Sequence, residues 1–252
     1  MIRIGLLGCG NVGHVIAGHC DMVRIAAVYD TVESRAQELG RLCDAVVHTD
    51  IAGFIAGDVD LIVEAASVEA VRQYAEEILA HGKDLVILSV GALADEAFRT
   101  RLAAEAAREG RRIYIPSGAI IGLDNLKIGQ ISDIRKLVLR TTKSPRSLGI
   151  DVDRKMLVFK GTASDCIRHY PKNINVAVAL ELAAGREADV ELWVDPEIDR
   201  NMHEVIAEGD FGDVYIRVRN TPSPDNPATS YLAALSVLTL LQNLDNPIRL
   251  GT

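Results

Sequence analysis

A two-part α/β architecture is predicted for this chain. A doubly wound parallel sheet comes first, followed by a second α/β domain on a mixed or antiparallel sheet. Three observations predict it. Residues 2 to 30 read as strand, glycine turn, helix, strand and acid, in that order. From there to residue 116, short apolar runs alternate with helical patterns, as parallel strands with crossover helices do. After residue 117 the runs lengthen and alternate apolar with polar residues, the pattern of a half-buried sheet.

The first unit opens with an apolar run, Ile2 to Leu7, that leads into Gly8-Cys9-Gly10-Asn11-Val12-Gly13. A helical stretch follows, then a second apolar run, Ile25 to Tyr29, ending at Asp30. Gly8 permits the tight turn, Gly10 lets the backbone approach a diphosphate, and Gly13 lets the helix pack on the strand. Asn11 and Val12 complete the turn. A diphosphate is favoured at the helix N-terminus by unpaired N–H groups and the helix dipole. An acid ~20 residues past the glycines is the spacing of a ribose-binding carboxylate. Together these point to a dinucleotide site. A carboxylate at Asp30 accepts hydrogen bonds from both ribose hydroxyls of NAD and repels a 2′-phosphate. Arg35 stands close enough in sequence to soften that repulsion, so NADP use stays open, although a solvated helix residue is the simpler reading.

Further strands are expected at Ala45–Val47, Leu61–Glu64, Leu85–Leu88 and Arg112–Ile115. Helices are expected at Glu33–Leu42, Val68–His81 and Asp95–Glu109, with Gly82 and Gly110 as stops. Strand ends of a doubly wound sheet face the cofactor crevice. That places the segment Val63-Glu64-Ala65-Ala66-Ser67, and Ala66 in particular, at the cofactor, with Ser89-Val90-Gly91-Ala92 at the same point one unit later. The dinucleotide-binding domain is expected over residues 1–116. A C-terminal helix within 226–252 is expected to pack back on it, leaving 117–225 as the second domain. There, strands are expected near Lys136–Thr142, Met156–Lys160, Val190–Val194 and Val214–Arg219. One helix, Ile174–Ala184, ends at Gly185, and a final helix runs from about Thr229 to Leu241. Pro222-Ser223-Pro224-Asp225-Asn226-Pro227 reads as a loop.

Composition excludes several classes. The chain has 252 residues, 48% hydrophobic and 25% charged, an ordinary globular balance. No apolar run approaches the ~20 residues needed to span a bilayer, so no membrane partner is expected. The start reads as strand at once, without a basic region or cleavage site, so no secretion signal is expected. Cys9, Cys20, Cys43 and Cys166 are scattered without metal-binding spacing, which fits free thiols in a reducing cytoplasm and no metal site. A net charge of −8 and only 4% aromatics argue against nucleic acid. Residues 135 to 172 nevertheless hold ten Lys or Arg against three Asp, so a basic second domain suited to an anionic substrate is expected.

Nicotinamide chemistry needs an acid–base group, usually histidine at neutral pH. Of six histidines, His14, His19, His48 and His81 read as structural. His169 and His203 fall in loop-like contexts of the second domain, and spacing alone does not choose between them. Asn173 stands just before a helix, as an N-cap or as an amide offered to a ligand. Lys172 beside it either meets a carboxylate or reaches solvent.

Four stretches resemble one family: IGLLGCGNVG at the start, IPSGAIIGLD at 115–124, YPKNINVAVALELAAG at 170–185, and the NMHEVIAEGDFGD and NTPSPDNPATS segments between 201 and 230. The chain resembles the L-aspartate dehydrogenases of NAD biosynthesis over nearly its whole length. The resemblance implies a Rossmann domain followed by a catalytic domain whose sheet supports a homodimer. It implies that His203 is the catalytic histidine and that Ala119 and Asn173 border the nicotinamide. The implied reaction is NAD(P)-dependent oxidation of L-aspartate to iminoaspartate. The imine then hydrolyses to oxaloacetate and ammonia or is handed to quinolinate synthase. His203 would be the general base, and Lys143 and Lys172 are candidates for the substrate carboxylates. Two alternatives share the fold signals: an oxidoreductase like homoserine dehydrogenase or dihydrodipicolinate reductase, and a nucleotide-sensing protein without catalysis.

Overall fold

A computed structural model describes residues 2–19, 23–170, 174–223, 226–244 and 246–248. The chain divides into two compact units, Met1–Pro116 with Ala233–Arg249, and Ser117–Leu232.

The first unit runs β1 (Arg3–Leu7), α1 (Asn11–Ala17), β2 (Arg24–Tyr29), α2 (Glu33–Cys43), β3 (Val46–Val47), α3 (Ile51–Ala56), β4 (Leu61–Glu64), α4 (Val68–Ala80), β5 (Asp84–Ile87), α5 (Glu96–Glu109) and β6 (Ile113–Tyr114). Its six strands form one parallel sheet in the order β3-β2-β1-β4-β5-β6. The chain therefore steps outward one way from β1 and the other way from β4. The C-terminal ends of these two strands flank the switch point where such sheets bind ligands. A sheet covered on both faces needs strands that are apolar at every position. Accordingly Leu61, Ile62 and Val63 of β4 are all buried. Glu64 is buried as well, the one charged residue of that strand. Side-chain caps start the helices where the sequence provides them: Asp50 accepts from Gly53 N, Ser67 from Ala70 N and Asp95 from Phe98 N. The short helix α3, with buried Phe54 and Ile55, is absent from the sequence expectation because six residues give too little period to read.

In the second unit the order is α6 (Leu123–Leu126), β7 (Ile134–Lys143), α7 (Pro145–Leu148), β8 (Met156–Thr162), α8 (Ala163–His169), α9 (Ile174–Ala184), β9 (Asp189–Val194), β10 (Met202–Gly209), β11 (Gly212–Arg219), β12 (Pro222–Ser223) and β13 (Asn226–Ser230). A mixed sheet runs β11-β10-β7-β9-β8, with only β7 and β9 parallel. Leu137, Leu139, Val190, Val205 and Ala207 share a core with Leu126, Cys166, Leu180 and Ala184 from the helices. Helix α10 (Tyr231–Leu244) follows, and its Val237, Leu238 and Leu241 share a core with Ile4, Leu6, Val28 and Leu39 of the first unit.

Five expectations need correction. The proline-rich segment is not a plain loop, because β12 pairs antiparallel with β13. A two-stranded ribbon leaves one side of each strand unpaired, so a residue without an N–H is tolerated there. The last helix consequently starts at Tyr231 rather than Thr229. His169 does not lie in a loop but ends α8, a helix capped by Thr162, whose hydroxyl accepts from Asp165 N. His203 is not in a loop either. It lies in β10, flanked by β7 and β11. Met202 to Val205 are buried at four consecutive positions, which erases the alternation that marks a strand. Nor is the second domain basic, since residues 117–232 carry fifteen Lys or Arg and seventeen Asp or Glu. Several of the basic residues are already paired: Arg140 with Glu191 at 2.8 Å, Lys160 with Glu191 at 3.4 Å and Arg168 with Asp165 at 2.6 Å.

Candidate active site

The glycine turn between β1 and α1 is built to a tight tolerance on one side and left open on the other. Gly8 has φ +99°, and a Cβ there would stand 2.7 Å from the Ala65 carbonyl. A Cβ on Gly13 would stand 2.7 Å from the Gly8 carbonyl oxygen. At Gly10 a Cβ would meet nothing within 4 Å. The backbone at Gly10 therefore faces space that a ligand can occupy. Gly10 also precedes α1 without a side-chain cap, and no acid lies in the first turn, so the end of the helix suits an anion. The Asn11 carboxamide is shielded from solvent, yet neither Oδ1 nor Nδ2 has a hydrogen-bond partner. Buried polar atoms are rarely left so, and a bound ligand would satisfy them. Val12 packs against the core.

Asp30 closes this cradle. Its Oδ2 accepts from Cys9 N at 2.7 Å and its Oδ1 from Val32 N at 2.7 Å. Each oxygen keeps a second lone pair for a ribose hydroxyl. Arg35 is exposed on α2. Burial, with the nearby Asp30 charge, pushes the Cys9 thiol up to about 12, so Cys9 is an inert part of the turn. Ala66 spends its N–H on Glu64 Oε1 at 2.8 Å, which leaves its methyl group and carbonyl for any ligand. The turn, the open Gly10 face, the unsatisfied Asn11 amide and Asp30 together fit a dinucleotide.

Histidine roles separate by what each Nδ1 touches. His19, His81 and His169 each bond the carbonyl four residues earlier, at 2.8, 2.9 and 2.9 Å. His203 instead meets a side chain from the neighbouring strand: Nδ1 lies 2.9 Å from Thr141 Oγ1. The register of β10 on β7 sets that contact, because His203 and Thr141 are direct partners. His203 is buried, while His169 is exposed. Burial, and then the Lys143 charge, depress the His203 imidazolium to about 4. The ring is therefore neutral at physiological pH. Lys143 stands two residues beyond Thr141 on β7 and hence on the same face. Lys172 and Asn173 lie outside the described residues.

Ala119 is held by a residue that sequence reading passed over. Its carbonyl accepts from Asn220 Nδ2 at 3.0 Å. Asn220 Oδ1 accepts from Ser230 Oγ at 2.6 Å, and its N–H donates to Asn201 O at 2.8 Å. Two of the four family-like stretches thus meet at one buried asparagine. The available signal was the spacing Asn220 to Ser230 around the prolines, which marks a clasped turn.

Comparison with known proteins agrees with this layout. Residues 124–244 match the family model described as aspartate dehydrogenase, C-terminal, and residues 5–116 match the NAD-binding domain of homoserine dehydrogenase. An L-aspartate dehydrogenase of Methanospirillum hungatei is 58% identical over 252 residues, covering 100% of both chains. The chain belongs to the L-aspartate dehydrogenase family. A second family member, from Methanothermobacter thermautotrophicus, is 43% identical, covering 100% of this chain and 99% of its own. The crystal structure of aspartate dehydrogenase from Thermotoga maritima superposes with a TM-score of 0.84 at 30% identity, covering 100% of both chains. The family's first domain takes a nicotinamide cofactor, in keeping with the cradle at Gly8 to Gly13. Among the described residues, no helix is long and apolar enough to cross a membrane, and no group of three His, Cys, Asp or Glu is placed to hold a metal.

Proposed function

We propose that this chain oxidises L-aspartate to iminoaspartate with NAD in preference to NADP. The observation that carries the reading is His203: a buried, neutral imidazole beside Lys143, within the segment that matches the aspartate dehydrogenase C-terminal model. The cofactor would be held by Gly8, Gly10, Asn11, Val12, Gly13, Asp30 and Ala66, with Ala119 and Asn173 toward the nicotinamide. When bound it supplies the hydride acceptor. The remaining work belongs to the chain. An ammonium cannot release hydride from its carbon, because the nitrogen lone pair must assist, so a base has to take a proton first. His203 is deprotonated at neutral pH and ready for that role. Lys143, with Lys172, meets the substrate carboxylates. A dianionic substrate also offsets the Lys143 charge felt by the ring, so the base strengthens when substrate arrives. His203 serves again when water adds to the imine, giving oxaloacetate and ammonia.

NAD preference rests on Asp30, whose charge opposes a 2′-phosphate. A homodimer through the second unit's sheet is supported by the face opposite its helices. There Glu204, Arg140 and Glu191 form a charged row, with Tyr215 hydrogen-bonded to Glu204. Tyr215 and Leu157 are 58% and 38% exposed. A cytoplasmic setting is supported by Cys9, Cys43 and Cys166, all free thiols. Handover of the imine to quinolinate synthase is proposed on the family resemblance and on the imine's ready hydrolysis. The match to the homoserine dehydrogenase NAD-binding domain favours one other reading, a homoserine dehydrogenase, but it covers the first unit only. The test is NADH formation from L-aspartate and from L-homoserine at equal concentration. Aspartate turnover is expected, and turnover of homoserine alone would overturn the proposal.

A further inference from the structure

Glu64 has no part in the chemistry above, yet its carboxyl accepts three hydrogen bonds from two separate loops. It ends β4 at 1% exposure. Its Oε1 accepts from Ala66 N at 2.8 Å and from Ser89 Oγ at 2.8 Å, and its Oε2 accepts from Ser89 N at 2.9 Å. Among the described residues no cation pairs with it. Burial pushes its carboxyl above the usual range, and these donors pull it back toward the ionised form. A carboxylate is acceptor-only with about four lone-pair sites, and here three donors take up most of them. The donors come from two loops, one after β4 and one after β5, both at the strand ends that face the switch point. The first of these loops also carries Ala65, against which Gly8 packs too closely to admit a Cβ.

We propose that Glu64 is a positioning residue of the dinucleotide site: its carboxylate clasps the Ala66–Ser67 loop to the Ser89 loop and, through Ala65, sets the Gly8 turn. The inference rests on the nicotinamide-dinucleotide reading of that turn. It explains why a charge sits where the strand is otherwise apolar. A glutamine of the same shape would turn an NH2 group toward N–H and O–H donors that need an acceptor.

The experiment is a fluorescence titration of the full chain with NADH, set beside steady-state kinetics. Glu64→Gln is expected to raise the NADH Kd about tenfold or more, since it unpairs bonds to a charged group. KM for NAD should rise in step, while KM for aspartate and kcat at saturating NAD stay within about threefold. Amide exchange at Ala66 and Ser89 should quicken in the cofactor-free protein. Lower stability alone would reduce the active fraction without moving Kd. An NADH Kd and a KM for NAD within about twofold of the parent would overturn the proposal, whatever the exchange rates show. Should Glu64→Gln fail to fold, Ser89→Ala takes its place. It removes one donor and is expected to weaken NADH binding about threefold, and an unchanged Kd would overturn the clasp. A parent protein that binds no NADH would overturn both the clasp and the cofactor reading. A parent that binds NADH but oxidises homoserine in place of aspartate would overturn the substrate reading and leave the clasp standing.

Discussion

The two units hold the polar groups of their candidate sites in opposite ways. In the first, Asp30 and Glu64 are gripped mainly by main-chain N–H groups of nearby turns: Cys9 and Val32 for one, Ala66 and Ser89 for the other. In the second, His203 and Ala119 are gripped by side chains from other elements, Thr141 for one and Asn220 for the other. A main-chain grip depends on backbone path, so glycines and carboxylates control it. A side-chain grip depends on residue identity one strand away. Mutations should therefore fail differently in the two units.

The largest expected effect lies in the glycine turn. Gly8→Ala puts an L-residue at φ +99° with its Cβ 2.7 Å from the Ala65 carbonyl. We expect about 2 kcal/mol or more of lost stability and about a hundredfold weaker NADH binding. Gly10→Ala has open space at its Cβ and should keep the melting temperature while still losing NADH. Calorimetry and NADH titration of the pair separate backbone strain from intrusion on the ligand. Equal melting temperatures for both variants would break the comparison.

A pH test follows for the second unit. The unfolded chain's histidine binds a proton near pH 6.5, whereas His203 in the fold does so only near 4. Between those values the unfolded state holds more protons, so stability present above pH 6.5 is lost as pH falls toward 4. From pH 7 to pH 5 the contribution is about 2 kcal/mol. Urea unfolding of the parent should show a loss that His203→Gln lacks, and equal losses would remove the buried neutral ring.

Smaller effects sharpen the contrast. Asp30→Ala should raise the NADP-to-NAD efficiency ratio about tenfold, because it removes both a repulsion and two ribose acceptors. An unchanged ratio would show that Asp30 is only the anchor of Cys9 and Val32. Thr141→Val keeps shape but removes the hydroxyl at His203 Nδ1. It should lower kcat for aspartate about tenfold or somewhat less, with NADH Kd unchanged. Thr141→Ser should restore most of the loss.

This division also decides what could be read beforehand. Gly8, Gly10, Gly13 and Asp30 are legible because their roles are local: a turn and the end of the next strand hold them within one short segment. His203 is legible only through family resemblance. Its strand is buried on both sides at Met202 to Val205, so alternation fails, and its partner Thr141 lies far away in sequence. Glu64 is legible only as part of the Val63–Ser67 segment facing the crevice, with no role of its own, because an acid closing an apolar run does not reveal what will bond it. Only the fold shows that Ser89, from the next strand's end, covers it. Asn220 escaped because prolines around it read as loop, while the structure makes that segment a clasped ribbon.

The division of labour between the units is tested most directly by His203→Ala assayed beside His169→Ala. Aspartate-dependent NADH formation and NADH Kd would be measured on both variants. His203→Ala should lose about 10²–10⁴-fold in kcat with NADH binding nearly intact, as removal of a general base does. His169→Ala, whose exposed ring bonds only the Asp165 carbonyl, should match the parent in both. An active His203→Ala beside an inactive His169→Ala would contradict the account and move the acid–base role to the end of α8.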